Sequence, residues 1–381
     1  MVYLDYALLV VIAWGLVGFG LNPWLYWPPL ALASAFVGGM SLLASRKKGP
    51  SGGLLLLLAG FGLLAGATAI QMIPVRRPLI LRHSPATDAF LQRASGGYEG
   101  LLWSDPPPTH TLSVNPDATL IGLLLLCAFA ALLVGTARGL SSQQTQKLAQ
   151  ALPLVGAVAA IIVIAQNFSA GGQEYADRDR LTGWILMALP LGMVQIYGQV
   201  HARVSATMRT STERVMNCAV RASGPVALMV IALAVMAWTA WTGLSATPAG
   251  ATTTLWGSWD DTWNLIRDFQ PAGTGLNTYG TAMMVFQPAL HPGAGYNSYL
   301  QFAAEGGLLL LVPATLTLLL FGWLVVRRFV ERRDEDTMRW IRLAAVAGLA
   351  LVALYEVVGL SLQVPGNAAL FAVLGGIAVR R

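Results

Sequence analysis

The chain has 381 residues, of which 55% are hydrophobic and only 11% are charged, and its mean hydropathy is +0.61. A soluble domain needs more surface charge than this, so the composition excludes a soluble globular protein and indicates a membrane protein. The formal net charge of +6 could suggest nucleic acid as a partner, but the basic residues follow membrane topology, so we expect no nucleic-acid partner.

Apolar runs of about 20 residues, the length needed to cross the hydrocarbon, recur along the whole sequence. Lipid offers no partners to open backbone groups, and the period-2 alternation of a membrane barrel is missing, so these runs are predicted to be helices. We therefore predict an all-α polytopic integral membrane protein with about ten transmembrane helices. Their predicted centres are Ile12, Phe36, Leu63, Leu126, Ala159, Pro190, Leu233, Thr317, Ala350 and Leu374.

Ten spans place both termini on one side of the membrane, and the distribution of basic residues identifies that side. Of the 24 basic residues, 17 fall in the connections on it, which the positive-inside rule assigns to the cytoplasm of a bacterial inner membrane. The other side carries three long segments: a first large periplasmic loop, 74–117, a short one, 167–182, and a second large one, 245–304. The whole chain, 1–381, is predicted to form a single membrane domain whose function lies in these loops.

The second large loop contains two patterned stretches before the eighth predicted span. Its first apolar positions recur at helical spacing and predict an interfacial amphipathic helix; they are Trp259, Trp263, Ile266 and Phe269. The turn-rich run 273–280 follows, with glycines at Gly273, Gly275 and Gly280. No strand precedes it and its spacing is wrong for a nucleotide-binding loop, so we interpret it as a structural turn.

The next stretch, Asn297-Ser-Tyr-Leu-Gln-Phe-Ala-Ala-Glu-Gly306, resembles the hallmark of the O-antigen ligase and polymerase superfamily. That hallmark is an Asn-x-Tyr-Leu-Gln-x-x-x-Glu-x-Gly start to a helix, which follows a helix and a glycine-rich turn. Further runs resemble other outer segments of the same superfamily; they are Gln71-Met-Ile-Pro74, His83-Ser-Pro85, Leu112-Ser-Val-Asn-Pro-Asp-Ala-Thr119 and Leu181-Thr-Gly183.

The resemblance implies a GT-C-like helical bundle with large periplasmic loops, active in polysaccharide or lipopolysaccharide biosynthesis of the cell envelope. Such a protein transfers a glycan from a polyprenyl diphosphate carrier to a lipid or glycan acceptor on the periplasmic face, among membrane lipids. It implies no metal and no cofactor. The transfer needs cations that bind the diphosphate leaving group and a base that accepts the proton of the acceptor hydroxyl.

The candidate site residues follow from these two needs. Guanidinium groups match phosphate oxygens, so Arg178, Arg180 and Arg267 are predicted to bind substrate, together with Asn297. The superfamily usually has a histidine before this asparagine and an arginine four residues before the matching tryptophan. This chain has Tyr296 and Leu255 at those positions. His291, whose ordinary pKa is near neutral, is the predicted base in their place, with Tyr296 as the second catalytic candidate.

Simpler roles stand beside these. Arg178 and Arg180 alternate with acidic residues and would also suit exposed ion pairs, and Arg267 would suit an anchor at lipid headgroups. Glu305 is expected in a structural role at the start of a helix, and Glu356, assigned to the ninth span, is a functional suspect because intramembrane charge is costly. An alternative function is a catalytically inactive, ligase-like accessory or scaffold subunit with membrane-complex partners. A transporter would need internal repeats, which the sequence lacks.

Overall fold

A computed structural model describes residues 3–17, 23–45, 52–94, 109–169, 175–206, 226–234, 237, 252–286, 297–331 and 336–380. The helices are α1 (Leu4–Val17), α2 (Pro23–Ala44), α3 (Gly52–Gln71), α4 (Arg77–His83), α5 (Pro85–Ala94), α6 (Pro116–Gly139), α7 (Ser142–Ser169), α8 (Tyr175–Ala206), α9 (Thr252–Phe269), α10 (Tyr279–Phe286), α11 (Ser298–Val330), α12 (Asp336–Tyr355) and α13 (Pro365–Val379). Residues 226–234 are also helical, and a 3-10 helix spans Ser361–Gln363. Within these ranges the strands are β1 (Val75–Arg76) and β2 (Thr109–His110), which pair antiparallel with Val75 opposite His110.

Within the described residues, six helices contain a stretch that is long and apolar enough to cross a membrane. These stretches are Leu25–Ala44, Gly52–Gln71, Pro116–Gly139, Ser142–Ile162, Ser298–Val330 and Thr337–Tyr355. Three shorter apolar helices, Leu4–Leu16, Leu181–Tyr197 and Pro365–Val379, coincide with three more predicted centres. The chain is therefore an all-α, multi-pass membrane protein, as the composition predicted. The total of ten spans stays a prediction.

The chain forms two compact units. Unit 1 comprises Met1–Gly49, Ala128–Ala246 and Leu324–Arg381, and unit 2 comprises Pro50–Cys127 and Thr247–Trp323. Nearly all of the two large predicted loops belongs to unit 2, whereas the short loop, 167–182, belongs to unit 1. The prediction of one domain over the whole chain stays a prediction.

Helices in unit 1 approach each other closely where residues are small. A β-carbon at Gly15 of α1 would lie 2.9 Å from the α-carbon of Gly366 in α13. At the same place the Tyr26 hydroxyl donates to the Gly15 carbonyl at 2.9 Å and accepts the Gly366 N–H at 2.9 Å. The Ser41 hydroxyl of α2 likewise donates to the Gly135 carbonyl of α6 at 2.7 Å. Small residues and hydroxyl groups are the usual means by which membrane helices pack.

Three buried arginines of unit 1 donate to carbonyl groups at or beside helix C-termini. The Arg328 Nε donates to the Val379 carbonyl at 3.2 Å, and the Arg380 Nε donates to the Leu140 carbonyl, just beyond α6, at 2.9 Å. Arg342 donates to the Arg380 carbonyl at 2.8 Å. The last carbonyls of a helix have no partner within it and carry its negative dipole end, so a cation stabilises them. All three belong to the 17 basic residues that the sequence assigns to the cytoplasmic side, and their contacts give them a structural role.

The core of unit 2 is built from both large predicted loops. Phe90 of α5 and Val114 of the first loop are buried with Leu265 and Phe269 of α9, Tyr279 and Met283 of α10 and Ala304 of α11. These contacts concern the amphipathic helix predicted around Trp259, whose interfacial position stays a prediction. Ile266 and Phe269 are 8% and 0% exposed and pack in the protein core, whereas Trp263 is 47% exposed. The helix is amphipathic as predicted, and protein covers the C-terminal half of its apolar stripe, at Ile266 and Phe269.

Candidate functional site

The glycine-rich turn between α9 and α10 is attached to the start of α11 by one carboxylate. Glu305 is 6% exposed, and its two oxygens accept the backbone N–H of Asn277 at 2.8 Å and of Tyr279 at 3.0 Å. Tyr279 is the first residue of α10, so the carboxylate lies at the positive end of that helix. The Gln301 side chain donates to the same carboxylate at 3.3 Å. Glu305 therefore has the structural role that the sequence suggested.

Backbone conformation explains why the turn needs glycine. Gly273 and Gly275 have φ angles of +74° and +108°, which side chains disfavour, and Asn277 has +64°. A β-carbon at Gly273 would collide with the Glu305 carbonyl oxygen. Gly307, with φ of +53°, interrupts the regular helix of α11, and a β-carbon there would collide with the Pro271 carbonyl oxygen. The two segments can approach each other this closely only without side chains.

Gln71, the last residue of α3, joins a third segment to this turn. Its Nε2 donates to the Ala272 carbonyl at 2.8 Å and to the Glu305 carbonyl at 2.9 Å, and its Oε1 accepts the Leu276 N–H at 3.1 Å. The Gln71 backbone carbonyl also accepts the Ser113 N–H at 2.8 Å. One fully buried side chain thus satisfies backbone groups on both sides of the turn.

The fourth segment is the run 112–119 at the start of α6. The Val114 N–H donates to the Thr274 carbonyl at 2.9 Å, which attaches this run to the glycine turn. Asn115 is the residue before α6, and its Oδ1 accepts the Ala118 N–H at 3.1 Å, the usual arrangement of an N-cap followed by proline. Three of the five runs quoted for the superfamily resemblance, 71–74, 112–119 and 297–306, therefore meet the glycine-rich turn 273–280 in one hydrogen-bonded cluster, which we call the motif core.

Asn297, a predicted substrate-binding residue, caps α11. Its Oδ1 accepts the backbone N–H groups of Tyr299 and Leu300, each at 3.0 Å, and the residue is 7% exposed. An N-cap asparagine satisfies donors that have no partner within the helix. Its predicted contact with substrate stays a prediction, and its side-chain oxygen already has a structural function.

Arg267 lies on the exposed surface of α9. Its guanidinium carbon is 5.5 Å from the centroid of the Trp263 ring, a cation–π contact. Among the described residues it makes no ion pair. Its contact with substrate stays a prediction.

The structure does not describe the side chains of the other four predicted site residues. Arg178 and Arg180 lie in the first turns of α8 in unit 1, and their side chains are outside the described part. His291 and Tyr296 lie in residues 287–296, which are outside the described residues altogether. The roles predicted for all four stay predictions. Within unit 2 the structure describes Arg267 and Asn297 in detail.

Glu356 is another buried carboxylate, and it lies in unit 1. It was placed within the ninth span by sequence, but α12 ends at Tyr355 and Glu356 follows it at 1% exposure. Its Oε1 accepts the Leu362 N–H at 2.9 Å and the Ser361 hydroxyl. The carboxylate therefore holds the turn between α12 and α13. Sequence gave no signal for Ser361, whose role depends on the fold of that turn.

No group of three or more His, Cys, Asp or Glu in the described ranges is placed to hold a metal ion. Comparison of the chain with protein-family models, with curated proteins and with solved structures finds no match. The resemblance to the O-antigen ligase superfamily rests on the residues quoted above.

Proposed function

We propose that the protein is a metal-independent membrane glycosyltransferase of the O-antigen ligase and polymerase type. It transfers a glycan from a polyprenyl diphosphate carrier to a lipid or glycan acceptor on the periplasmic face of a bacterial inner membrane. The observation that carries the proposal is the motif core. Two runs that resemble the superfamily are 234 residues apart in sequence at Gln71 and Glu305, yet they hydrogen-bond to each other and to the same turn. A chance resemblance between isolated runs gives no reason for such contacts.

The topology belongs to the proposal as well. Ten spans, with cytoplasmic termini, would put the motif core on the outer face, where lipid-linked glycans are presented. The orientation rests on the positive-inside rule, because 17 of the 24 basic residues, Arg328 and Arg342 among them, fall on the side assigned to the cytoplasm.

The chemistry can be written with the residues available. The acceptor hydroxyl attacks the anomeric carbon of the donor sugar and gives its proton to a base, which we assign to His291, with Tyr296 as the second candidate. The bond from the anomeric carbon to the phosphate oxygen breaks, and the electron pair leaves with the polyprenyl diphosphate. Arg178 and Arg180 stabilise that negative charge. Phe286 and Asn297 delimit residues 287–296, which carry both candidate bases.

The test is glycan transfer by purified full-length protein in nanodiscs, supplied with a polyprenyl-diphosphate-linked oligosaccharide and assayed for released lipid diphosphate. We expect His291→Ala and Arg180→Ala each to lower the rate by 100-fold or more, on the order expected for loss of a general base or of a charge clamp. The matched control is Arg82→Ala, since Arg82 is exposed on α4 and has the same predicted side. Wild-type protein that releases no diphosphate with several donors and acceptors contradicts the proposal.

A second candidate function is an inactive relative that serves as a scaffold or accessory subunit of a membrane complex. Two sequence positions favour it, because Tyr296 and Leu255 replace the histidine and arginine of the superfamily pattern. The double variant Tyr296→His, Leu255→Arg separates the two candidates. Transfer by the wild type supports the enzyme, whereas transfer that appears only in the double variant indicates a protein that has kept the fold and lost the chemistry.

A further inference from the structure

The exposed face of α9 is distinct from its core-packing face. Five residues on one side of the helix are exposed; they are Asp260, Trp263, Asn264, Arg267 and Asp268. Their spacing of three, four, seven and eight residues places them on one side of the helix. The opposite side, which includes Leu265 and Phe269, is buried in the core of unit 2. A rigid core therefore supports a polar face with one aromatic ring.

The Trp263 ring, at the middle of this face, contacts Arg267 and is still accessible. The Arg267 guanidinium lies 5.5 Å from the centroid of Trp263, and the tryptophan remains 47% exposed. A cation–π contact restrains the ring without covering it completely. Arg267 makes no ion pair with a described residue, and it is exposed beside the ring. Such a surface offers a flat aromatic ring bordered by hydrogen-bond donors and acceptors.

The charges of the face decide between possible ligands. Asp260 and Asp268 outnumber Arg267, so the face carries a formal charge of −1. A diphosphate or an anionic lipid headgroup would be repelled by the two carboxylates. A helix that lies on lipid would instead present apolar residues with lysine or arginine on its polar side. A neutral sugar fits, because its C–H face can stack on the indole while its hydroxyl groups hydrogen-bond to carboxylate, amide and guanidinium.

We propose that this face of α9 binds a neutral sugar unit of the donor glycan, stacked on Trp263. Trp263 supplies the platform, and Asp260, Asn264, Arg267 and Asp268 bind hydroxyl groups around it. This inference rests on the proposed function for the source of the glycan. We assign the bound sugar to the donor because the donor is already held at its charged diphosphate end. A second contact with a neutral sugar would fix the orientation of the glycan relative to that end. Arg267 then contacts sugar rather than diphosphate.

The first test measures binding without transfer. Full-length protein in nanodiscs is titrated with neutral hexose, deoxyhexose and N-acetylhexosamine oligosaccharides, with saturation-transfer NMR on the sugar C–H protons. We expect Trp263→Ala to weaken binding of at least one oligosaccharide about tenfold and Trp263→Phe to weaken it less, since a smaller ring still stacks. The matched control is Trp340→Ala, because Trp340 of unit 1 is 41% exposed. Binding that is absent across the panel, or unchanged in Trp263→Ala, overturns the proposal.

Two further arms separate the alternatives. Inorganic pyrophosphate is titrated into the same variants, and we expect no change with Trp263→Ala; weakened pyrophosphate binding with intact sugar binding overturns the sugar assignment. In the transfer assay, Trp263→Ala should raise KM for the lipid-linked donor and leave KM for the acceptor unchanged. The opposite split overturns the assignment to the donor. Sugar binding that depends on Trp263 in a protein without transfer activity contradicts the proposed enzyme and leaves the platform standing.

Discussion

Removal of the Gln71 side chain is the most direct perturbation of the motif core. In Gln71→Ala, the Ala272 carbonyl and the Leu276 N–H lose the partners that they have at 2.8 and 3.1 Å. The Glu305 carbonyl loses one donor but keeps the Gly275 N–H at 3.0 Å. Each buried backbone group left without a partner costs about 1–3 kcal/mol, so we expect the free energy of unfolding to fall by about 3 kcal/mol.

The measurement is reversible unfolding of the full-length protein in mixed micelles, combined with hydrogen exchange over residues 272–280. Exchange should accelerate at Leu276 first, because its N–H loses its acceptor. The control is Gln92→Ala in the same unit. Gln92 donates one hydrogen bond to Asp88 at 2.7 Å, and Asp88 keeps its two contacts with Arg77 at 2.7 and 3.0 Å. A loss below about 0.5 kcal/mol for Gln71→Ala, or equal losses for both variants, would refute the reasoning.

Three further predictions concern single positions. Asn297→Ala should lower the free energy of unfolding by about 1 kcal/mol through loss of the N-cap, with Asn297→Asp retaining most of it, measured in the same micelles. Gly307→Ala should destabilise strongly or prevent folding, because its φ is +53° and a carbonyl oxygen occupies the space; Gly322→Ala, with open space, should be neutral or slightly stabilising. Burial alone would raise the pKa of Glu331, but the charge of Arg328 and hydrogen bonds from Arg327 and Arg328 outweigh it and lower the pKa. The contribution of Glu331 is therefore present above the ordinary carboxyl pKa and lost as pH falls through the lowered value, and Glu331→Gln should remove that pH dependence at a cost well below 1 kcal/mol.

The class of the protein and the positions of its apolar helices could be predicted from the sequence. Nearly every residue of a helix that crosses a membrane must be apolar, so such helices appear as long hydrophobic runs. The amphipathic pattern of α9 was also predictable, but its environment was not. Helical spacing of Ile266 and Phe269 shows that one side needs an apolar contact, and it does not distinguish lipid from the buried rings of Phe90 and Tyr279. Only the pairing of two loops that are distant in sequence makes that distinction.

The contacts of the motif core lay beyond prediction for a related reason. Gln71 ends an apolar helix, where a single polar residue usually meets water, and nothing near it in sequence indicates partners about 200 residues away. Glu356 was assigned to the ninth span because its apolar neighbours continue past the end of α12 at Tyr355. The carboxylate accepts the Leu362 N–H in the turn that follows the helix, and hydrophobic runs do not indicate where such a turn begins.

The geometry of Glu305 narrows the search for a base. It is the carboxylate of the Asn-x-Tyr-Leu-Gln-x-x-x-Glu run, and a carboxylate is an ordinary choice for general base catalysis. Here, however, it is 6% exposed and both oxygens already accept backbone N–H groups at the start of α10. At this exposure an acceptor hydroxyl could reach the carboxylate only if the glycine turn opened, and a proton on the carboxylate would weaken the N–H bonds that hold the turn. We therefore expect the base of a glycan transfer to come from outside the motif core. The segment 287–296, with His291 and Tyr296, begins and ends next to that core in sequence and is the first place to test.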